Sequence, residues 1–241
     1  MISDAHIHLS DFAGRFLAEN AVPTIISCAT PAECARAGAF AQARAHVFVS
    51  CGIHPWMVDR TDPALMQPWL ARAAIIGEIG MDSVWCQTDL ALQRQRFEAQ
   101  LAFASAAHKP VVLHTKGMEG EILALIRQYP NTYHVHWYSA MEHLGDYLAL
   151  GCYMSIGPFP SIDPAVAAVA ARTPLDRLLI ETDGIDAVRW ALGRDVAEAD
   201  YPAVLRQIAR EIAEIRGLSE DAVLAHTREN LLRFAGAEQN A

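Results

Sequence analysis

The sequence predicts an α/β protein whose strands and crossover helices close into a (β/α)8 barrel, and three observations predict it. Short apolar, β-branched runs recur eight times; stretches with helical spacing and charged faces separate them; and the 241 residues approach the roughly 250 that such TIM-type barrels occupy. Runs of this kind alternating with helices imply parallel strands joined by crossovers. A doubly wound open sheet is the competing arrangement. With no Gly/Ser/Pro-rich linker, low-complexity tract or repeat to mark a boundary, the expectation is one barrel domain spanning 1–241.

The elements follow in order. Ile2–His8 is the first strand and closes on His6-Ile7-His8. Pro23–Cys28 and His46–Cys51 are the second and third, and Gly52-Ile53-His54-Pro55-Trp56 follows the third. Ala74–Ile79 is the fourth, ending in Gly77-Glu78-Ile79-Gly80, and the helical stretch Asp89–Ala107 leads to Pro110–His114, the fifth. After the helical Glu119–Gln128 comes Tyr133–His136, then Cys152–Ile156, the helical Pro164–Arg172, and Leu178–Glu181, which runs into Thr182-Asp183. Ser219–Phe234 reads as a Ser-capped amphipathic helix, with Glu220 and Asp221 in its first turn, expected to close the outer layer.

Composition narrows the function classes. Hydrophobic residues make up 52% and charged residues 20%, which favours a globular chain over a disordered one, and no apolar run nears the roughly 18 residues of a membrane span. The N-terminus lacks the basic and apolar regions of a signal peptide, so a cytoplasmic location is expected. Cys28, Cys34, Cys51, Cys86 and Cys152 form an odd, scattered set without a C-x-x-C pair, against both a disulfide framework and a zinc knuckle. Nineteen basic against 28 acidic residues leave a net charge of −9, the wrong sign for coating nucleic acid through bulk charge. Only Lys109 and Lys116 are lysines.

In such barrels chemistry sits at the C-terminal ends of the strands, and five of the eight runs deliver a metal-type ligand there: His6 and His8, Glu78, His114, His136, and Asp183. Taken singly each admits a structural role. The H-x-H pair shares one strand face but can be a surface pair, His114 can be a hydrogen-bonded core histidine, and Asp183 can cap the next helix. The glycines around Glu78 suggest a backbone that passes close to something. Together, four imidazoles and two carboxylates suit divalent ions such as zinc, manganese, magnesium or iron. Six ligands exceed one tetrahedral ion and match two ions about 3.5–4 Å apart sharing a carboxylate and a bridging water. His134, one pair of residues deeper than His136, is expected below the rim. His54 is placed to touch substrate or to pack its loop. His108 and Lys109 fall at the opposite end, where solvation is expected, and His46, His143 and His226 receive no chemistry.

Read in order, Asp4-x-His6-x-His8, Gly52-Ile53-His54-Pro55, Gly77-Glu78-Ile79-Gly80-Met81-Asp82, Gln93-x-x-x-Phe97-x-x-Gln100-Leu101, Pro110-Val111-Val112-Leu113-His114, His136-Trp137-Tyr138-Ser139, Glu181-Thr182-Asp183 and Glu229-Asn230 resemble the TatD-type deoxyribonucleases of the amidohydrolase superfamily. The resemblance implies a dinuclear metal centre that hydrolyses DNA phosphodiesters, working on single strands from a 3′ end, with the family's ligands falling on the same six residues. It also favours a glutamate bridge, since many superfamily relatives place a carboxylated lysine where this chain has Glu78. Two departures touch the substrate side. Lys116 stands where the family shows an arginine, and Gly184-Ile185 follows Asp183 where a proline is usual; the segment 186–200 diverges as well.

The expected mechanism has two divalent ions bridged by Glu78 and a hydroxide, with Asp183 as the general base. Lys116 offers a point charge to phosphate. Asp4 and Asp82 are expected to accept hydrogen bonds from ligand imidazoles. Trp137, Tyr138 or Trp56 could stack a base, aromatic packing at the rim being the competing role. Two other functions stay open. One is hydrolysis of a small ester, lactone or amide, since fold and metal do not specify the scissile bond; the other is a non-catalytic metal-binding partner in an assembly.

Overall fold

The structure, a computed structural model, describes residues 1–237; the last four residues of the expected 1–241 domain lie outside them. Eight parallel strands follow one another in a single sheet in chain order. They are β1 (Asp4–Ile7), β2 (Thr24–Cys28), β3 (Val47–Cys51), β4 (Ile75–Gly80), β5 (Val111–His114), β6 (Tyr133–Val135), β7 (Tyr153–Ile156) and β8 (Leu178–Ile180). Each lies within a residue or two of its expected run, and the barrel, not the open sheet, is the architecture. Among the described residues ten α-helices separate and follow them: α1 (Asp11–Glu19), α2 (Pro31–Ala41), α3 (Pro63–Arg72), α4 (Leu90–Ala106), α5 (Glu119–Ile126), α6 (Leu144–Ala149), α7 (Pro164–Arg172), α8 (Ile185–Leu192), α9 (Tyr201–Arg216) and α10 (Glu220–Phe234). Helix starts follow local chemistry. Ser10, Thr30, Asp62, Asp89, Asp163 and Ser219 each accept a hydrogen bond from a backbone N–H of the first turn.

Alternation divides the apolar side chains into two sets. The outward set packs under the helices in one large core, while Ala5, Ile25, Ile75, Val112, Tyr153 and Leu179 form a separate cluster inside the barrel. That inner cluster also contains Leu231 and Phe234 of α10, and the Phe234 ring meets His134 and Tyr153, each at 5.5 Å between centroids. The C-terminal helix therefore plugs the barrel floor instead of only closing the outer layer. The helix expected from Ser219 onward is present; Val223 and Leu224 of its apolar stripe join the outer core, while Leu231 and Phe234 enter the barrel.

Two strands break register. Between β1 and β2, Asp4 pairs with Thr24 but Ile7 with Ile26, and between β4 and β5, Ile76 pairs with Val111 but Ile79 with Leu113. Each strand therefore carries one extra residue, a bulge. Strict alternation from the inward Ala5 and Ile75 would turn His6 and Glu78 outward; the bulges turn both into the barrel mouth.

Among the described residues no ladder joins β8 to β1. The seam is closed by other bonds: Asp183 N–H donates to the His6 carbonyl (3.0 Å), and the buried Asp4 carboxylate accepts from Thr182 N–H (3.2 Å) and Thr182 Oγ1 (2.7 Å). Lys109 is not solvated as expected. Its Nζ donates to the carbonyls of Leu70, Ala71 and Ala73 at 2.7–2.8 Å, satisfying the orphan acceptors at the end of α3. No helix among the described residues is long and apolar enough to cross a membrane.

Candidate metal centre

All six expected ligands meet at the C-terminal mouth of the barrel, around the buried Glu78. Its two oxygens face different partners. Oε2 lies 3.3 Å from His6 Nε2 and 4.0 Å from His8 Nε2, whereas Oε1 lies 2.8 Å from His114 Nδ1, 3.5 Å from His54 Nε2 and 3.6 Å from His136 Nε2. Asp183 Oδ1 completes the first set, 3.6 Å from His6 Nε2 and 3.5 Å from His8 Nε2. Asp183 caps no helix: Gly184 precedes α8 and no side chain caps it.

The backbone explains how Glu78 enters so crowded a place. A Cβ on Gly77 would lie 2.8 Å from Val112 Cβ, and one on Gly80 only 1.8 Å from the His114 carbonyl oxygen. The close approach suggested by the glycines is that of β4 against β5, which brings Glu78 beside His114.

Hydrogen bonds fix which nitrogen each imidazole presents. Ser27 holds both members of the H-x-H pair: His6 Nδ1 is 3.2 Å from Ser27 Oγ, and His8 Nδ1 donates to the Ser27 carbonyl at 3.0 Å. Both Nε2 atoms are left facing inward. Asp82 Oδ2 holds His114 Nε2 at 3.0 Å, so His114 turns Nδ1 to the centre. Glu181 Oε1 lies 2.9 Å from His136 Nδ1 as an ion pair without hydrogen-bond geometry, and His136 Nε2 faces Glu78.

Asp82 thus meets the expected imidazole, and it also accepts from Trp56 Nε1 at 2.7 Å. Asp4 does not. Its partners are the His6 backbone N–H, Thr182 and the Tyr201 hydroxyl (3.2, 2.7 and 2.5 Å for the nearest contacts), so it supports the site through the β1 backbone and not through a ring. Glu181 and Tyr201 carry no assignment from sequence spacing. For Glu181 a signal existed, since it stands two residues before Asp183, the same i, i+2 spacing as the two histidines.

Charge is arranged for a cation. Burial raises the pKa of Glu78, but the surrounding imidazoles outweigh it and hold its carboxyl well below the usual range. Burial likewise pulls His136 down, and Glu181, Glu78 and Asp183 overcome this to raise it to about 10. His134, fully buried below the rim as expected and 2.7 Å from Ser155 Oγ, is pushed down to about 3 by desolvation. Asp4 is pushed up to about 7 by burial, against the hydrogen bonds it accepts. The donor set fits divalent ions: His6 Nε2 and Asp183 Oδ1 are sealed from solvent without a hydrogen-bond partner, and such lone pairs are costly unless a cation meets them. Three groupings offer one ligand atom per residue within 4.8 Å: His6, His8 and Asp183; His6, His136 and Glu181; and His54, Glu78 and His114. His54 Nε2 thus lies beside Glu78 and His114 among atoms that could hold an ion, and it also lines the cavity.

A cavity of about 660 Å³ opens over these groups, lined by His54, Lys116, Trp56, Trp85, Trp137 and Trp190 among others. Lys116 Nζ donates to Ser139 Oγ at 3.0 Å and lies 4.7 Å above the Trp85 ring. Tyr138 is buried, its hydroxyl donating to the Glu142 carbonyl, so it takes no part in the mouth.

A (β/α)8 barrel that gathers imidazoles and buried carboxylates at the C-terminal ends of its strands is the architecture of a metal-dependent hydrolase. The comparisons make this specific. The family model described as TatD related DNase matches residues 3–236, and the chain belongs to that family. It is similar to the metal-dependent hydrolase YcfH of Escherichia coli K12, 27% identical over 202 residues that cover 79% of this chain and 74% of that protein. It is also similar to the 3'-5' ssDNA/RNA exonuclease TatD of Edwardsiella piscicida, 29% identical over 70% of each chain. Among solved structures, the TatD homologue YjjV of Escherichia coli K12 shares the fold with a TM-score of 0.82 at 22% identity, covering 97% of both chains.

Proposed function

We propose that the chain is a nuclease that cleaves phosphodiester bonds of single-stranded DNA from its 3′ end at a dinuclear centre. The observation that carries the two-ion centre is the division of Glu78: one oxygen faces His6 and His8, the other His114, His54 and His136. His6, His8 and Asp183 would hold one ion, His114 and His136 the other, and Glu78 would span both. Two divalent ions held close together supply Lewis acidity at phosphorus and lower the pKa of water toward neutrality. The phosphodiester substrate rests on family membership and on relatives named as single-stranded DNA/RNA exonucleases.

The protein's own groups do the rest. Asp183, only partly buried beneath the cavity, accepts the proton of the attacking water. Asp82, hydrogen-bonded to His114, and Glu181, paired with His136, orient the two rings. Lys116 presents a positive charge to the phosphate. Five unpaired cysteines suit a reducing, cytoplasmic setting.

A second reading has its own support: a cavity of about 660 Å³ with indole walls also suits a small ester, lactone or amide. One panel separates the two. Single-stranded and duplex DNA, RNA, cyclic amides and aryl esters are incubated with Mn²⁺, Mg²⁺ or Zn²⁺, with and without chelator. The expected result is chelator-sensitive shortening of single strands from the 3′ end; turnover of a lactone or ester with all strands intact overturns the nuclease.

A further inference from the structure

Three tryptophans from three separate elements meet at the mouth of the cavity. Trp85 comes from the loop after β4, Trp137 lies two residues after the end of β6, and Trp190 lies in the last turn of α8. Trp190 stands between the others, 5.8 Å from Trp85 and 6.3 Å from Trp137 between ring centroids, nearly perpendicular to both at 81° and 79°. Trp190 is 67% exposed and Trp85 50%. Adjacent exposed indoles beside a polar centre mark a surface that meets a ligand.

The cluster is built to be rigid. A Cβ on Gly157 would lie 2.7 Å from the Trp137 indole, so that ring rests flat against the backbone after β7. α8 is anchored by the buried Ile185 and Val188 and by Arg189, which donates to the Val196 carbonyl from Nε (3.0 Å) and from its terminal amine (2.8 Å). The Lys116 ammonium occupies one face of Trp85, which leaves Trp190 as the open platform. α8 starts two residues after Asp183, so one short helix ties this platform to the metal centre.

Charge says what the platform is for. The net charge is −9, and Glu33, Glu119 and Asp163 line the same cavity as Lys116, the one lysine or arginine among its described lining residues. Away from the ions of the proposed centre a polyanion gains little from electrostatics, whereas stacking on an aromatic face does not depend on charge. A base inside a duplex already stacks on its neighbours on both faces, whereas an unpaired terminal base is free to lie fully on an indole.

We infer that Trp190, braced edge-on by Trp85 and Trp137, is the platform on which the unpaired terminal base of a single strand stacks while Lys116 meets the adjacent phosphate. This rests on the nuclease activity proposed above and adds the device that selects single-stranded ends. The test compares two oligonucleotides, one with a normal 3′-terminal nucleotide and one whose terminal nucleotide is abasic, using the Mn²⁺-loaded protein and its W190A and W190F variants. The wild type is expected to favour the base-bearing end by about tenfold in kcat/KM, mostly through KM. W190A should bring that ratio near one, and W190F should restore most of it. A wild-type ratio near one, or a W190A variant that slows both substrates equally and keeps the preference, overturns the platform and leaves the nuclease standing. If no strand is cleaved at all, the nuclease activity itself falls, and the platform with it.

Discussion

Glu78 and Asp183 are carboxylates within reach of the same imidazoles, and their surroundings suit them to the different tasks proposed for each. Glu78 is sealed beneath five histidines with both oxygens engaged, so it is suited to hold and not to exchange. Asp183 keeps part of its side chain open to the cavity and can pass a proton to solvent. Asp183→Asn is therefore expected to retain much of its metal while losing about 10²- to 10⁴-fold in turnover; metal content and initial rates measured on the same sample check this, and near-normal rates would remove the general base. Glu181 acts one step further out. Glu181→Gln weakens the hold on His136 Nδ1, and a loss of about 10- to 100-fold in metal affinity is expected by competition with a chelating dye. Most of this scale was legible in the sequence, because ligand residue types recur at strand ends. Glu181 was within reach of the same i, i+2 rule, whereas the indole cluster was not: Trp85 and Trp190 lie far apart in the chain, and an exposed tryptophan has no periodic signature.

At the scale of elements, the expected strands and helices match the observed ones closely, since β-branched runs and side-chain caps act locally. The bulges in β1 and β4 could not be read in that way. They depend on how one strand's register meets its neighbour's, and they decide which way His6 and Glu78 point. α10 teaches a similar lesson. Its cap and amphipathic stripe are local facts, but whether the stripe covers the outside of a barrel or fills its floor depends on the space the strands leave. Phe234→Ala is expected to destabilise the fold by about 3–5 kcal/mol, because it empties the inner cluster around Ala5, Val112 and Tyr153. Urea unfolding followed by circular dichroism checks this, and a cost below about 1 kcal/mol would place the ring outside the packed interior.

At the scale of the whole molecule, the metal centre and the barrel's closure are one structure. With no β8–β1 ladder among the described residues, Asp4, Thr182, Tyr201 and the bond from Asp183 to His6 hold the seam, and residues on both sides of it supply the proposed ligands. Divalent ions should therefore stabilise the entire fold by mass action, by about 2.7 kcal/mol when free metal is a hundredfold above its dissociation constant. Thermal melts with Mn²⁺ and with excess chelator are expected to differ by several degrees, and coincident melts would separate the ions from the fold. By itself the sequence determined the α/β barrel, the position of its strands and the residue types gathered at its mouth, because those follow from periodicity and short-range chemistry. Only the tertiary structure decided that Glu78 divides its oxygens between two sets of imidazoles, that Asp4 supports a backbone and not a ring, that α10 plugs the floor and that three indoles frame the entrance. Each of these is a contact between residues distant in the chain, and such contacts are set by the register and closure of the sheet.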